Sequence, residues 1–487
     1  MCQSDSAQEL PVTFRPELYL QRRGWVLDIM RREGITEVLD IGCGEGELLA
    51  CLCNPAPWLA RPPPDVLPTE SIEKDTDDVL AELHKDILHP VKIAGLDISP
   101  SELEDTVECT KPLDPAKRNG LWLHDPLRWE PLEVKIWEGS LAEINPEFVD
   151  VECIVSMEVI EHLPEDVLQA FAPTIFGVYH PRIVLLTTPS YTFNARFTAP
   201  NAPVGARCGW PDPTKRTSRI FRHNDHKFEW TVEEFTQWCN ITAEEWGYEV
   251  ELGGVGKAQE VDEWGRDEAL GWASQVAAFK RREGREWAER RARRVDELGR
   301  QLSRGGQQEQ HKLLAIHQHP AHEAARRPRP LQTVGDLVLE RMVRCHDASI
   351  SLRELWFQNE VAVACGGWID WLVRAIQAHE SLVLQLGEIP GEWTIELDPS
   401  LHHLLSRDDS ASPPDTDEVP DPWDPFDEDL PWGGGPDDVA VVQDGDEAAR
   451  EAWDSQIVDW GKDMLHIGSP ADWGAPQGDW SCSNEWT

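Results

Sequence analysis

The segment Glu37-Val38-Leu39-Asp40-Ile41-Gly42-Cys43-Gly44-Glu45-Gly46 constrains this chain more than any other. A short aliphatic run ends in three glycines at alternate positions, and a helical pattern resumes over Leu48 to Leu52. This pattern predicts a buried strand that enters a tight loop and opens a helix. Glycines at such a turn let the backbone approach a ligand, and open α/β sheets bind ligands at the carboxyl ends of their strands. A dinucleotide fingerprint would read G-x-G-x-x-G. Here the glycines Gly42, Gly44 and Gly46 stand closer together and follow Asp40, whose carboxylate suits a ligand with a cationic amino group better than a pyrophosphate.

Further aliphatic runs predict strands at 92–98, 133–137, 151–157, 182–187 and 274–279, separated by helical segments. Strands alternating with helices indicate an α/β unit with a mainly parallel, Rossmann-like sheet. Asp97 ends the second strand, where it can accept hydrogen bonds from ribose hydroxyls. Ser140 follows the third strand, placed to meet an adenine edge. Three strand-end features in this order are hard to reconcile with ordinary turns and caps.

The fourth strand runs into Met157-Glu158-Val159-Ile160-Glu161-His162. On a helix starting here, Glu158, Glu161 and His162 stand at i, i+3 and i+4 and share a face, a credible divalent-metal site. Asp225-His226-Lys227-Phe228-Glu229-Trp230 offers a fourth ligand in His226, with His223 ranked below it. Each piece alone has a plain structural reading, since a Glu near a helix start is commonly a dipole partner and a lone His usually packs. A separate group, His311, His317, His319 and His322, lies in polar sequence and is read as solvated rather than metal-binding.

Composition divides the chain. Residues 1–285 carry the α/β unit, with 54–90, which includes Pro62-Pro63-Pro64, as a loop insertion. Residues 286–333 read as a basic, polar linker, 334–405 as a small helical unit of two or three helices, and 406–487 as a disordered acidic tail. A net charge of -44 disfavours phosphate-rich partners, but 22 acidic residues against Arg450 and Lys462 fall after Arg407, while Lys280 to Arg304 is arginine-rich, so the total neither excludes nor supports them. No run is long and apolar enough for a membrane span, and the polar Met1 to Leu10 lacks a signal-peptide pattern. The cysteines lack paired metal-type spacing, and Cys43, Cys153 and Cys365 sit in apolar runs, as reduced thiols of a cytoplasmic or nuclear protein do.

These residues resemble the small RNA 2′-O-methyltransferases of the Hua-enhancer type. Phe14-Arg15-Pro16-Glu17-Leu18-Tyr19-Leu20-Gln21-Arg22 looks like that family's motif ahead of the first helix, and Glu158 to His162 is similar to its metal motif. Thr188-Pro189-Ser190-Tyr191-Thr192-Phe193-Asn194 resembles its substrate-side loop, with Ser190 and Thr192 where Asn and Glu are typical. Asp225 to Thr231, Gly254-Val255-Gly256 and Ser274 to Phe279 resemble the remaining motifs, so the likeness runs over 11–283.

The resemblance implies a class I fold that binds S-adenosyl-L-methionine through Asp40, Gly42, Gly44, Asp97 and Ser140. It implies catalysis through Mg²⁺ or Mn²⁺ held by Glu158, Glu161, His162 and His226, with the 3′ end of a small RNA as substrate and a monomer as the working unit. Such an ion could chelate the vicinal oxygens of the last ribose, which would account for action at chain ends. Two other readings share the fold: an O-methyltransferase of another hydroxyl compound, such as a catechol, and a scaffold without turnover. The tail pairs Trp432-Gly433, Trp460-Gly461 and Trp473-Gly474 resemble the Argonaute-binding hooks of silencing proteins, which makes an Argonaute-type protein a candidate partner.

Overall fold

The computed structural model describes residues 9–63, 66, 80–81, 83–112, 126–203, 206–302, 311–387 and 393–405. The acidic tail, 406–487, lies outside the described residues, and so do its Trp-Gly pairs.

A first helix, α1 (Leu18–Glu33), leads into β1 (Glu37–Ile41), the glycine loop and α2 (Glu47–Leu52). β2 (Lys92–Asp97), α3 (Pro100–Cys109), β3 (Leu132–Glu138), β4 (Cys153–Met157), α4 (Glu165–Ala172) and β5 (Ile183–Pro189) follow. A short hairpin, β6 (Trp210–Pro211) and β7 (Ile220–Phe221), precedes α5 (Val232–Trp246), β8 (Tyr248–Val255) and β9 (Ser274–Arg281). β1 to β5 are mutually parallel, and β9 runs antiparallel between β5 and β8. Leu39, Ile154, Val184 and Ala277 pack into one layer of core, and Val38, Cys153, Ile183 and Ala278 into the other. Burial on both faces explains why these strands read as near-continuous aliphatic runs. The sheet is mainly parallel with helices on both faces, the Rossmann-like α/β unit expected from the sequence.

Past β9 the structure departs from the expected division. Residues 286–333 are not a linker: α6 (Arg285–Leu302) is followed by β10 (Lys312–His319), which pairs antiparallel with β3. The sheet order is therefore β10-β3-β2-β1-β4-β5-β9-β8. Nor are the four histidines simply solvated, because His311 and His319 are buried. This edge strand is half open to water and mixes Lys312, His317, Gln318 and His319 with its aliphatic residues, which masks it as polar linker.

The C-terminal unit is not purely helical. Four helices, α7 (Leu331–Arg344), α8 (Leu352–Trp356), α9 (Asn359–Ala364) and α10 (Ile369–Gln377), accompany an antiparallel sheet of β11 (Ser349–Ser351), β13 (Thr394–Leu397) and β12 (Leu382–Gln385). Its core also takes in Trp58, Leu59 and Leu80 from the supposed loop insertion, and Trp129. The indole N–H groups of Trp129 and Trp356 both donate to the carbonyl of Pro57, at 3.2 and 2.9 Å. His84 Nε2 lies 2.8 Å from the buried carboxylate of Asp370. The insertion is thus a bridge into the C-terminal core, fixed by contacts that no local pattern encodes.

Candidate active site

The glycine loop is shaped by two close approaches. Gly42 (φ 71°) and Gly46 (φ 84°) adopt left-handed backbone, and a Cβ at either would overlap a neighbour: Val159 beside Gly42, Thr106 of α3 beside Gly46. Gly42 N–H donates to Leu96 O at 2.8 Å, tying the loop to the end of β2. The resulting cleft, about 340 Å³, is lined by Asp40, Gly42, Cys43, Glu45, Glu102 and Met157 among others.

Asp40 is buried at the end of β1. Burial, reinforced by the nearby negative charge of Asp97, pushes its carboxyl up to about 7. Such a carboxylate gains from a cationic ligand. Asp97 accepts from Gly44 N–H at 3.0 Å and from Ser99 N–H at 2.8 Å, one bond to each oxygen, so it is rigidly set beside the loop. Ser140 forms a tight turn after β3: its hydroxyl accepts from Ala142 N–H at 3.2 Å. Asp40 and Gly42 line the cleft, while Asp97 and Ser140 stand at the ends of β2 and β3 outside its immediate lining; the acidic wall suits a ligand that carries an ammonium group.

The metal candidates sit at the end of β4, immediately beyond Met157 of the cleft. They do not lie on an α-helix. Glu158 has left-handed backbone (φ 55°), and Ile160–His162 is a single 3-10 turn that ends before Pro164. The i, i+3, i+4 argument therefore does not apply as stated. Glu158 is held by Arg22 of α1 at 3.0 Å and by the Thr187 hydroxyl at 2.9 Å. Glu161 is fully buried; one oxygen accepts from the Thr188 hydroxyl at 3.0 Å, and Oε1 finds no partner among the described residues. Burial first, and the neighbouring Glu158 second, push its carboxyl well above the ordinary range. A buried acceptor without a donor is the kind of group a cation satisfies.

His162, His223 and His226 bring ligating nitrogens within 4.8 Å of one another. His223, the lower-ranked alternative, thus stands beside the favoured pair. His226 Nδ1 is 2.8 Å from Glu229 Oε1, and His162 Nδ1 is 3.1 Å from Asp225 Oδ2. Each carboxylate fixes the Nδ1–H tautomer and leaves Nε2 as the ligand atom. Burial and the adjacent His226 lower the pKa of His162, which favours the neutral, coordinating form.

Several residues that position this site were not singled out from sequence. Arg222 donates through Nε to Asn194 Oδ1 at 2.6 Å and through Nη2 to the carbonyls of Ser190 and Ala273 at 2.8 and 2.7 Å. It clamps the loop 190–194 against the start of β9. Asn194 Nδ2 in turn donates to Glu229 at 2.6 Å, linking that loop to His226. Arg222 and Glu229 flank His223 and His226 in sequence, and that proximity was the available signal.

No family model matches the chain. Curated proteins do. The chain is 30% identical over 271 residues to the small RNA 2′-O-methyltransferase of Arabidopsis thaliana, covering 55% of this chain and 23% of that protein. It is 28% identical over 273 residues to the protein of that name from Gallus gallus, covering 55% of each. With the one from Drosophila melanogaster it shares 35% identity over 159 residues, 32% of this chain and 36% of the relative. The chain thus spans well under two thirds of each of these relatives.

Proposed function

We propose that the chain, similar over about 55% of its length to small RNA 2′-O-methyltransferases, is a member of that family and transfers the methyl of S-adenosyl-L-methionine to the 2′-hydroxyl of the 3′-terminal nucleotide of small RNAs, metal-dependently, protecting that end in RNA silencing. The observation that carries the reading is the continuity of β4. Met157 lines the cleft, Glu158, Glu161 and His162 follow it in sequence, and His162 lies beside His223 and His226. Methyl donor and acceptor would then meet at one strand end.

Asp40 and Asp97 would receive the donor's ammonium and ribose, and the Ser140 turn its adenine. S-Adenosylmethionine supplies an electrophilic methyl on a sulfonium. Glu158, Glu161, His162 and His226 would hold the ion, with His223 at hand. A bound divalent ion supplies Lewis-acid polarisation of ribose oxygens, and a mixed imidazole–carboxylate set suits Mn²⁺ as well as Mg²⁺. Asp225 and Glu229 keep the two imidazoles oriented. Arg222 holds the loop 190–194 where it can face a terminal nucleotide. Among the described residues no helix is long and apolar enough to cross a membrane.

The test is incubation with labelled methyl donor and a short single-stranded RNA, followed by periodate oxidation. Protected 3′ ends are expected; labelling of a catechol but not of RNA would overturn the reading. The tail pairs Trp432-Gly433, Trp460-Gly461 and Trp473-Gly474 would deliver the enzyme to an Argonaute-type protein by avidity. Capture of that protein by 408–487, lost when the three tryptophans become Ala, checks this.

A further inference from the structure

β10 is more than an added edge. His311, which immediately precedes it, is buried, and its Nε2 donates to the carbonyl of Ser140 at 2.8 Å. The same carbonyl accepts from Glu143 N–H at 3.0 Å, closing the turn. The imidazole fills a notch that exists because residue 139 is glycine: a Cβ there would overlap the His311 ring. On its other side the ring packs at 5.7 Å from Phe148, itself in the central core.

The far end of the strand braces a second wall. His317 Nδ1 lies 3.1 Å from the Thr110 hydroxyl, and His319 Nε2 lies 3.0 Å from the Thr110 carbonyl. Thr110 caps α3, and one turn earlier Thr106 of that helix donates to the carbonyl of Gly44. One strand therefore holds both the turn after β3 and the helix that backs the glycine loop. Between these contacts it pairs with β3 from Lys312 opposite Glu138 to His319 opposite Leu132.

We propose that residues 311–319 are a working part of the cofactor pocket, with His311 a positioning residue that sets the Ser140 turn against the adenine ring. This rests on the reading of the cleft as an S-adenosylmethionine site. The adenine-facing groups of such a turn are backbone and hydroxyl groups, whose placement follows the turn itself. Withdrawing the donor of His311 leaves the Ser140 carbonyl with one bond and opens the notch beside Gly139. The effect should fall on recognition of the base rather than on the amino-acid end, which lies at Asp40, or on RNA.

The experiment uses the full-length protein, titrated calorimetrically with S-adenosylhomocysteine and with its inosine counterpart, in which oxygen replaces the adenine amino group. The unmodified protein should prefer the adenine form. His311→Ala is expected to weaken S-adenosylhomocysteine by about tenfold, the order of one hydrogen bond, and to bring the two affinities together. His311→Asn keeps an amide donor and should recover most of the preference, while RNA affinity is unchanged in both variants. Wild-type affinity and preference in His311→Ala overturn the proposal. Equal weakening of both ligands with the preference retained also overturns it, by marking a merely structural role. Should His311→Ala not fold, His311→Gln decides by the same ratio: a preserved preference supports a donor at this place, and a preference lost despite a wild-type melting temperature refutes it. If the unmodified protein binds neither ligand, the cofactor reading itself fails.

Discussion

Glu229 is fully buried, and its Oε1 lies 2.8 Å from Nδ1 of His226. The hydrogen bonds from His226, Arg222 and Asn194 hold this carboxylate ionised, below the ordinary range, although burial opposes them. A charged acceptor raises the basicity of the imidazole and fixes which nitrogen it presents. Glu229→Gln should therefore keep the fold yet lower metal affinity by about 10- to 100-fold. Activity measured against Mn²⁺ concentration should shift to higher metal, with the saturated rate partly restored.

The ligand set itself divides into testable parts. Glu158→Ala, Glu161→Ala, His162→Ala and His226→Ala are each expected to abolish turnover while S-adenosylhomocysteine still binds, as calorimetry paired with an activity assay would show. His223→Ala separates the two possible sets. Unchanged Mn²⁺ binding in that variant leaves His223 as a bystander in the cluster; a loss equal to that of His226→Ala makes it a ligand.

A terminal requirement follows from chelation by vicinal oxygens. RNA ending in a 3′-phosphate or a 3′-deoxy nucleotide should be methylated at least about 100-fold more slowly than the diol, since a charge-assisted contact is lost at the reacting centre. Equal rates on the three ends, read by labelled methyl incorporation, would sink the chelation scheme.

Asp40 yields a pH dependence. Its folded pKa, about 7, stands above the ordinary 3.8, so its contribution to stability is complete below about pH 4 and is lost as pH rises through about 7. Cofactor binding has the opposite sign, because a cationic ammonium favours the ionised carboxylate. Affinity for S-adenosylhomocysteine should climb between pH 6 and 8, on the order of the window set by that pKa. Asp40→Asn should flatten this limb and bind weakly throughout.

The shared core predicts that the methyltransferase unit does not end near 285. A chain stopped there lacks β10 and leaves Trp58 and Trp129 without their partners. It should be aggregation-prone, and in the full-length protein Trp129→Ala should cost about 3–5 kcal/mol in a denaturant titration. A soluble, active fragment 1–285 would show that the C-terminal unit only docks.

Much of the catalytic half was legible because its signals are local. β1, β2, β4 and β5 are short apolar runs, and Asp40, Gly42 and Asp97 stand at their ends. The missed features depend on distant partners. Nothing near Arg22 announces that it reaches Glu158, and nothing near His311 announces Ser140. β11, β12 and β13 are three or four residues each, too short for alternation to show. Glu158, Glu161 and His162 do close β4, but the helix expected to carry them is not there: spacing alone does not distinguish an α-turn from the 3-10 turn that precedes Pro164.

The bond from the Trp356 indole to the Pro57 carbonyl joins groups 299 positions apart. During synthesis, Trp58 and Leu59 leave the ribosome long before α8 and α10 exist to cover them. Most of the sheet can assemble in chain order, but the edge strand must wait for residue 319 and the second core for residue 397. Contacts of such separation slow folding and leave apolar surface open meanwhile. Newly made chains should therefore lean on chaperones through Trp58 and Trp129, and a premature stop before α8 would leave the N-terminal bridge without Trp356 and Asp370, the groups it folds onto.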